Sequence, residues 1–73
     1  MFELNKYGKI VINNKEVYYG CVSQVDEEHS ILQLYVIDWR DREIRPHKFY
    51  AITAPMSAVV IKYNVEGMMD ADN

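Results

Sequence analysis

The sequence predicts an all-β domain, five short strands in one strongly bent sheet that curls into a small barrel, followed by a flexible acidic tail. Three observations carry that prediction. Apolar and polar residues alternate with the period of two that half-buried strands show, most cleanly in Ile31 to Trp39. The six tyrosines, with little alanine or leucine, favour strand over helix. And 73 residues are too few for a two-layer sandwich, whereas curling one sheet covers its apolar face and removes most exposed edge.

The first strand is expected at Lys9 to Asn13, around Ile10, Val11 and Ile12. Asn13-Asn14 follows, and asparagine tolerates the left-handed backbone of tight hairpins. A long second strand runs from Glu16 to Val25, with Gly20 placed where a bulge or sharp bend would help it curve. Asp26-Glu27-Glu28-His29-Ser30 reads as a polar turn. In the third strand Leu32, Leu34 and Val36 form one face and Gln33, Tyr35 and Ile37 the other. Arg40-Asp41-Arg42 is a further turn. A fourth strand is expected over Glu43 to Thr53, with Pro46 at an edge or bulge because it has no N–H to donate. Ala54 to Ser57 is a connector with room for one 3₁₀ turn, and Ala58 to Tyr63 is the fifth strand. The expected division is a barrel over 1–64 and an acidic tail over 65–73.

Composition narrows the function. About half the residues are apolar, 49%, and 26% are charged, an ordinary globular balance. Glu66, Asp70 and Asp72 account for the whole net charge of −3, so residues 1–65 are neutral. A neutral body supplies no general phosphate-binding field of the kind nonspecific nucleic-acid binding uses. The single Cys21 excludes an internal disulfide and reads as a small buried hydrophobe. Met1 to Gly8 lacks the apolar core of a signal peptide, and no apolar run approaches the roughly 20 residues of a membrane span. A cytoplasmic protein with no membrane association is expected.

No catalytic constellation stands out. His29 lies in an acidic turn and His47 beside a proline, and neither forms a recognised motif with Cys21. His29 with Asp26, Glu27 and Glu28 is the one metal-like cluster, and it reads as a solvated turn. Three glycines make no phosphate loop. The expectation is therefore no enzyme, no cofactor and no metal. Binding residues are better represented. Trp39, Arg40, Arg42, Arg45, His47 and Lys48 concentrate aromatic and cationic side chains around one expected hairpin. Arginine and tryptophan most often carry interface energy. The acidic run Asp26, Glu27 and Glu28 is a second candidate, able to engage a basic groove and speed association.

Ile10, Ile12, Asn13-Asn14, Gly20, Val22 and Asp26 fall at the spacings of the first motif of Sm, LSm and Hfq proteins, which this segment resembles. Lys15 replaces that motif's turn glycine, and Ser30 stands where its RNA-contacting asparagine would be. Val59 to Tyr63 resembles the second motif loosely. The resemblance implies an Sm-like barrel, of the SH3-like kind, without the residue that reads RNA. Arg42-Glu43-Ile44-Arg45, Lys48-Phe49, Ile52 and Val59-Val60-Ile61 also resemble the Rof (YaeO) family. Members of that family have Sm-like barrels and inhibit the transcription terminator Rho by protein–protein contact; Arg42, Ile44 and Pro46 partly resemble WYL domains, another such barrel. These resemblances imply a regulator or inhibitor that binds a cellular protein, comparable to Rof or to the small host-interaction proteins of phages. The alternative they imply is an Sm-like nucleic-acid or nucleotide binder, assembled as an oligomer by pairing the fourth strand of one copy with the fifth of the next.

Overall fold

The computed structural model describes residues 2–63. They form a single antiparallel sheet of five strands, β1 (Gly8–Ile12), β2 (Glu16–Asp26), β3 (Ile31–Asp38), β4 (Tyr50–Pro55) and β5 (Val59–Lys62), in the order β4-β3-β2-β1-β5. The predicted acidic tail, 65–73, lies outside the described residues. No helix among those described is long and apolar enough to cross a membrane.

The connection between β4 and β5 forces the bend. These two strands are the opposite edges of the sheet, which in a flat sheet would stand about 19 Å apart at the usual strand spacing. Only the 3₁₀ turn Met56–Ala58 joins them, and at about 2 Å of rise per residue it spans far less. The sheet therefore curls until its edges approach without sharing a ladder. Ala54 of β4 and Val59 of β5 meet Ile10, Ile12, Val22, Leu32, Leu34 and Val36 in one buried cluster inside the curl.

Registers show how the alternation is used. Ile10 stands opposite Tyr18 and Ile61, Val22 opposite Leu34, and Leu32 opposite Ala54, so all of them face inward. The Asn13-Asn14 expectation holds: both have positive φ, 56° and 55°, the pair a type I′ hairpin turn requires, and the Lys15 N–H donates to the Ile12 carbonyl at 3.1 Å. Gly20 serves a different purpose from the expected bulge. It stays in register opposite Val36, and a Cβ there would lie 2.1 Å from the Tyr35 carbonyl oxygen. The backbone of β3 comes too close for any side chain. The register shift falls instead between Val22 and Gln24, making Ser23 the extra residue, its hydroxyl donating to the Gln33 carbonyl at 3.1 Å.

The fourth strand departs most from the sequence reading. It begins at Tyr50, not Glu43, and extends to Pro55. Two causes act upstream. Asp38 ends β3 by capping a 3₁₀ turn, Trp39–Asp41, its carboxylate accepting from the Arg40 N–H at 2.9 Å. Local turns then consume the donors an added strand would need: Ile44 and Arg45 donate to the Asp41 carbonyl at 3.0 and 2.7 Å, and Lys48 to that of Arg45 at 3.0 Å. Pro46 sits inside this looped segment and has no donor to give a ladder. Trp39 accordingly opens a turn where the sequence reading ended a strand.

Candidate binding face

The outward face of β1, β2 and β3 carries residues of another kind. Tyr19 stands opposite Ile37, and Cys21 opposite Tyr35. Ile37 and Cys21 are buried although they point away from the central cluster. Rings cover them. Phe49, just before β4, stacks on Tyr35 with centroids 5.5 Å apart, and meets Tyr7 and Tyr19 edge-on at 5.9 and 6.1 Å. Tyr7 stacks on Tyr19 at 5.5 Å, and Tyr19 meets Trp39 edge-on at 6.0 Å. Five aromatic side chains thus tie the segment before β1, the outer face of β2 and β3, and the 39–49 segment into one layer, in geometries aromatic pairs prefer.

This layer changes the chemistry beneath it. Burial pushes the Cys21 thiol up, opposite to the lowering that activates a nucleophilic cysteine. Burial is also the largest cause raising Tyr7, followed by its neighbours Cys21, Tyr19 and Tyr35.

Of the predicted contact residues, Trp39, Arg40 and Arg42 are built into a fixed unit. The Arg42 guanidinium lies 4.0 Å from the Trp39 ring centroid and donates to the Trp39 carbonyl at 2.6 Å, while the Lys9 ammonium lies 5.0 Å from the same centroid. Such cation–π contacts strengthen where water is displaced. Arg40 donates twice to Asp38, Nε to Oδ1 at 3.0 Å and Nη2 to Oδ2 at 3.0 Å. Its hydrogen bonds hold the Asp38 carboxyl below the usual aspartate range. Arg45, His47 and Lys48 are exposed, and no carboxylate among the described residues pairs with them. Ile44, just before them in the chain, is 73% exposed. The expected hairpin of contact residues is therefore a 3₁₀ turn followed by a looped segment pinned at each end by an aromatic ring.

The acidic candidates lie elsewhere. Asp26, Glu27 and Glu28 occupy the β2–β3 turn, at the other end of the 11-residue β2 from the strand start that neighbours Trp39. The two candidate patches do not form one surface. Asp26 folds its carboxylate back on its own turn, accepting from the His29 N–H at 3.2 Å and contacting His29 Nδ1 at 2.9 Å. Asp26, Glu28 and His29 bring potential ligand atoms within 4.8 Å of one another on an exposed turn, an arrangement that fits a solvated cap. Glu27 borders an apolar groove of about 570 Å³ lined by Phe2, Leu4, Val25 and Met56.

Sequence reasoning missed Tyr7, Tyr19, Tyr35, Phe49 and Lys9 as parts of the face. A signal existed for two of them: with Asn13-Asn14 and the polar turn as hinges, outward residues of adjacent strands include Tyr19 and Tyr35. Nothing local marks Tyr7 or Phe49, which reach the layer through irregular backbone. Compared with protein-family models, with curated proteins and with solved structures, the chain matches none.

Proposed function

We propose that this chain is a non-enzymatic, cytoplasmic regulator or inhibitor that binds a cellular protein through the face built on Trp39, Arg40, Arg42, Arg45, His47 and Lys48. One observation carries the reading. Ile44 stands 73% exposed beside Arg45, His47 and Lys48, which pair with no carboxylate among the described residues, on a segment whose ends are fixed by Trp39 and Phe49. A large aliphatic side chain held in water by an anchored loop has an unfavourable hydration that a partner's pocket would relieve. The surrounding arginine and lysine supply orientation and rapid encounter with a complementary acidic surface. The Rof-like segment Arg42 to Arg45 coincides with this loop, and that supports a Rof-like or phage host-interaction role. The acidic turn Asp26, Glu27 and Glu28 would then be a separate, secondary contact.

The test is affinity capture from the organism that encodes the chain, run in parallel with the wild type and with an Ile44→Ala/Arg45→Glu/Lys48→Glu variant. The expected result is one protein retained in a 1:1 complex by the wild type and lost by the folded variant. Equal recovery by both would reject this face.

A second reading, a ring-forming nucleic-acid or nucleotide binder, draws support from one feature: β4 and β5 are both unpaired edges among the described residues. It requires an oligomer. A monomeric mass by light scattering, with no shift of A-rich or U-rich RNA, would remove it.

A further inference from the structure

We propose that the cleft between the β1–β2 turn and the 3₁₀ turn after β3 binds a small anionic aromatic molecule of the nucleoside monophosphate class. Its phosphate would rest on Lys9 and Lys15, and its flat base against Trp39. The site is independent of the protein-docking role and shares only Trp39 and Arg40 with that face.

The cleft exists because two paired strands end at different places. β3 stops at Asp38, opposite Tyr18, while β2 begins two residues earlier at Glu16. The chain then turns away through Trp39–Asp41, leaving Val17 without a strand partner in β3. The resulting concavity is about 610 Å³, inside the roughly 300–1,000 Å³ range of small-molecule sites.

Its charges are divided in a way that selects the ligand. Both carboxylates in the wall are engaged: Asp38 holds Arg40 through two hydrogen bonds, and Glu16 accepts from the Tyr18 hydroxyl at 3.2 Å. The two ammonium groups have no carboxylate partner, since none among the described residues lies within ion-pair distance of Lys9 or Lys15, and Lys9 meets the Trp39 ring instead. A polyacidic segment would bring negative charge against Glu16 and Asp38. A molecule anionic at one end only, with N–H and O–H donors at the other, satisfies both sets of groups. The spare lone pairs of Glu16 and Asp38 would accept from the ribose hydroxyls or the base amino group.

Trp39 is suited to the flat part. Arg42 fixes the indole, through the 4.0 Å ring contact and the 2.6 Å bond to the Trp39 carbonyl. Lys9 lies 5.0 Å from the same ring centroid, so a phosphate on Lys9 leaves the attached base beside the indole. Arg42 and Lys9 both lie over the indole, so the base would stack where the phosphate draws Lys9 off the ring, and such stacking on tryptophan tolerates any base.

Trp39 is the only tryptophan, so its fluorescence reports on the cleft directly. The isolated chain would be titrated with AMP, adenosine, inorganic phosphate, oligoglutamate and single-stranded oligoadenylate, with calorimetry confirming each affinity. AMP is expected to saturate with a dissociation constant on the order of 0.1–1 mM, and adenosine to bind about tenfold more weakly. Lys15→Ala, which alters no ring contact, is expected to weaken AMP about fivefold, and Lys9→Ala/Lys15→Ala to remove binding within the measurable range. Three results would overturn the proposal. They are no saturable response up to about 10 mM AMP, unchanged affinity in the folded double variant, and tighter binding of oligoglutamate or oligoadenylate than of AMP. The titration needs no protein partner, so its failure and the failure of the docking reading are separate outcomes.

Discussion

The two faces of the β1–β3 sheet are made from the same three strands and do opposite things. Inside the curl every fully buried side chain is aliphatic, Ile10, Val22, Leu32, Leu34 and Val36. Outside, the same backbone presents Tyr19, Cys21, Tyr35 and Ile37, under a cover of Tyr7, Phe49 and Trp39. Branched aliphatic side chains interlock at close range and leave no polar atom to satisfy, which suits a sealed interior. Rings tolerate partial exposure, because their hydroxyl or indole edges can meet water while their faces stack. A chain of this size has little stability to spare, and this one divides the labour: the inner face supplies cohesion, and the outer face anchors an irregular segment that carries the proposed contact residues.

The sharpest way to break that division is at Gly20, where the backbone of β3 comes too close to β2 for any side chain. Gly20→Ala would place a methyl group 2.1 Å from the Tyr35 carbonyl oxygen and 2.7 Å from the Val36 Cα. Neither is a flexible side chain that can yield. The expected loss exceeds about 4 kcal/mol, enough to unfold a small domain, and circular dichroism would show it. A variant that melts like the wild type would mean that β3 can move off β2 at no cost. Next, Leu34→Ala on the inner face should cost about 3 kcal/mol in urea denaturation, the usual range for a filled core site. Phe49→Ala on the outer face should cost about half as much, since Phe49 is only partly buried. It should also release the 42–49 segment and reduce partner binding. Equal losses from the two substitutions would show that the outer layer is a second core and not a support for recognition.

How far the sequence reveals each face follows from the range of the interactions that make it. The inner face was readable because its cause is local: alternation in Ile31 to Asp38 places Leu32, Leu34 and Val36 inward, and the Asn13-Asn14 turn sets the β1–β2 register. The outer layer depends on Tyr7 and Phe49, whose contacts lie 12 and 14 residues away along the chain at the nearest, on Tyr19 and Tyr35. No period announces them. The fourth strand was overextended for a related reason. Charged and apolar residues alternate in Glu43 to Arg45 as they would in a strand, but the Asp38 cap and Pro46 divert the chain into turns before a ladder can form. Alternation records which residues could face inward and does not record where a neighbouring strand is present to pair with them.

A smaller effect separates binding from folding on the outer face. Ile44 is 73% exposed, so Ile44→Ala should alter stability by less than about 0.5 kcal/mol. If Ile44 is an interface anchor, the same change should weaken the partner complex about tenfold or more, in line with truncation of a central apolar contact. Thermal melting beside a binding titration would decide it. A large stability change without a binding change would reassign Ile44 to the fold.

The smallest effect is a difference in alkaline response between the faces. On the inner face Tyr18 is pushed from its ordinary 10.0 to about 12, first by burial and then by its hydrogen bond to the Glu16 carboxylate, which favours the protonated hydroxyl. The unfolded chain releases this proton near 10.0, whereas the folded chain keeps it until about 12. The associated stability is therefore complete below the first value and is lost as pH rises through the second, because the unfolded state binds fewer protons across that window. Tyr7 on the outer face is raised as well, chiefly by burial, and contributes in the same direction. Urea midpoints followed across this window, with phenolate absorbance measured alongside, should show the decline. Tyr18→Phe should make it shallower, and Tyr7→Phe should do so to a lesser degree. A steeper gain from Tyr7→Phe than from Tyr18→Phe would mean that the aromatic cover excludes water better than the aliphatic interior does at its margin, and would reverse the assignment of cohesion to the inner face.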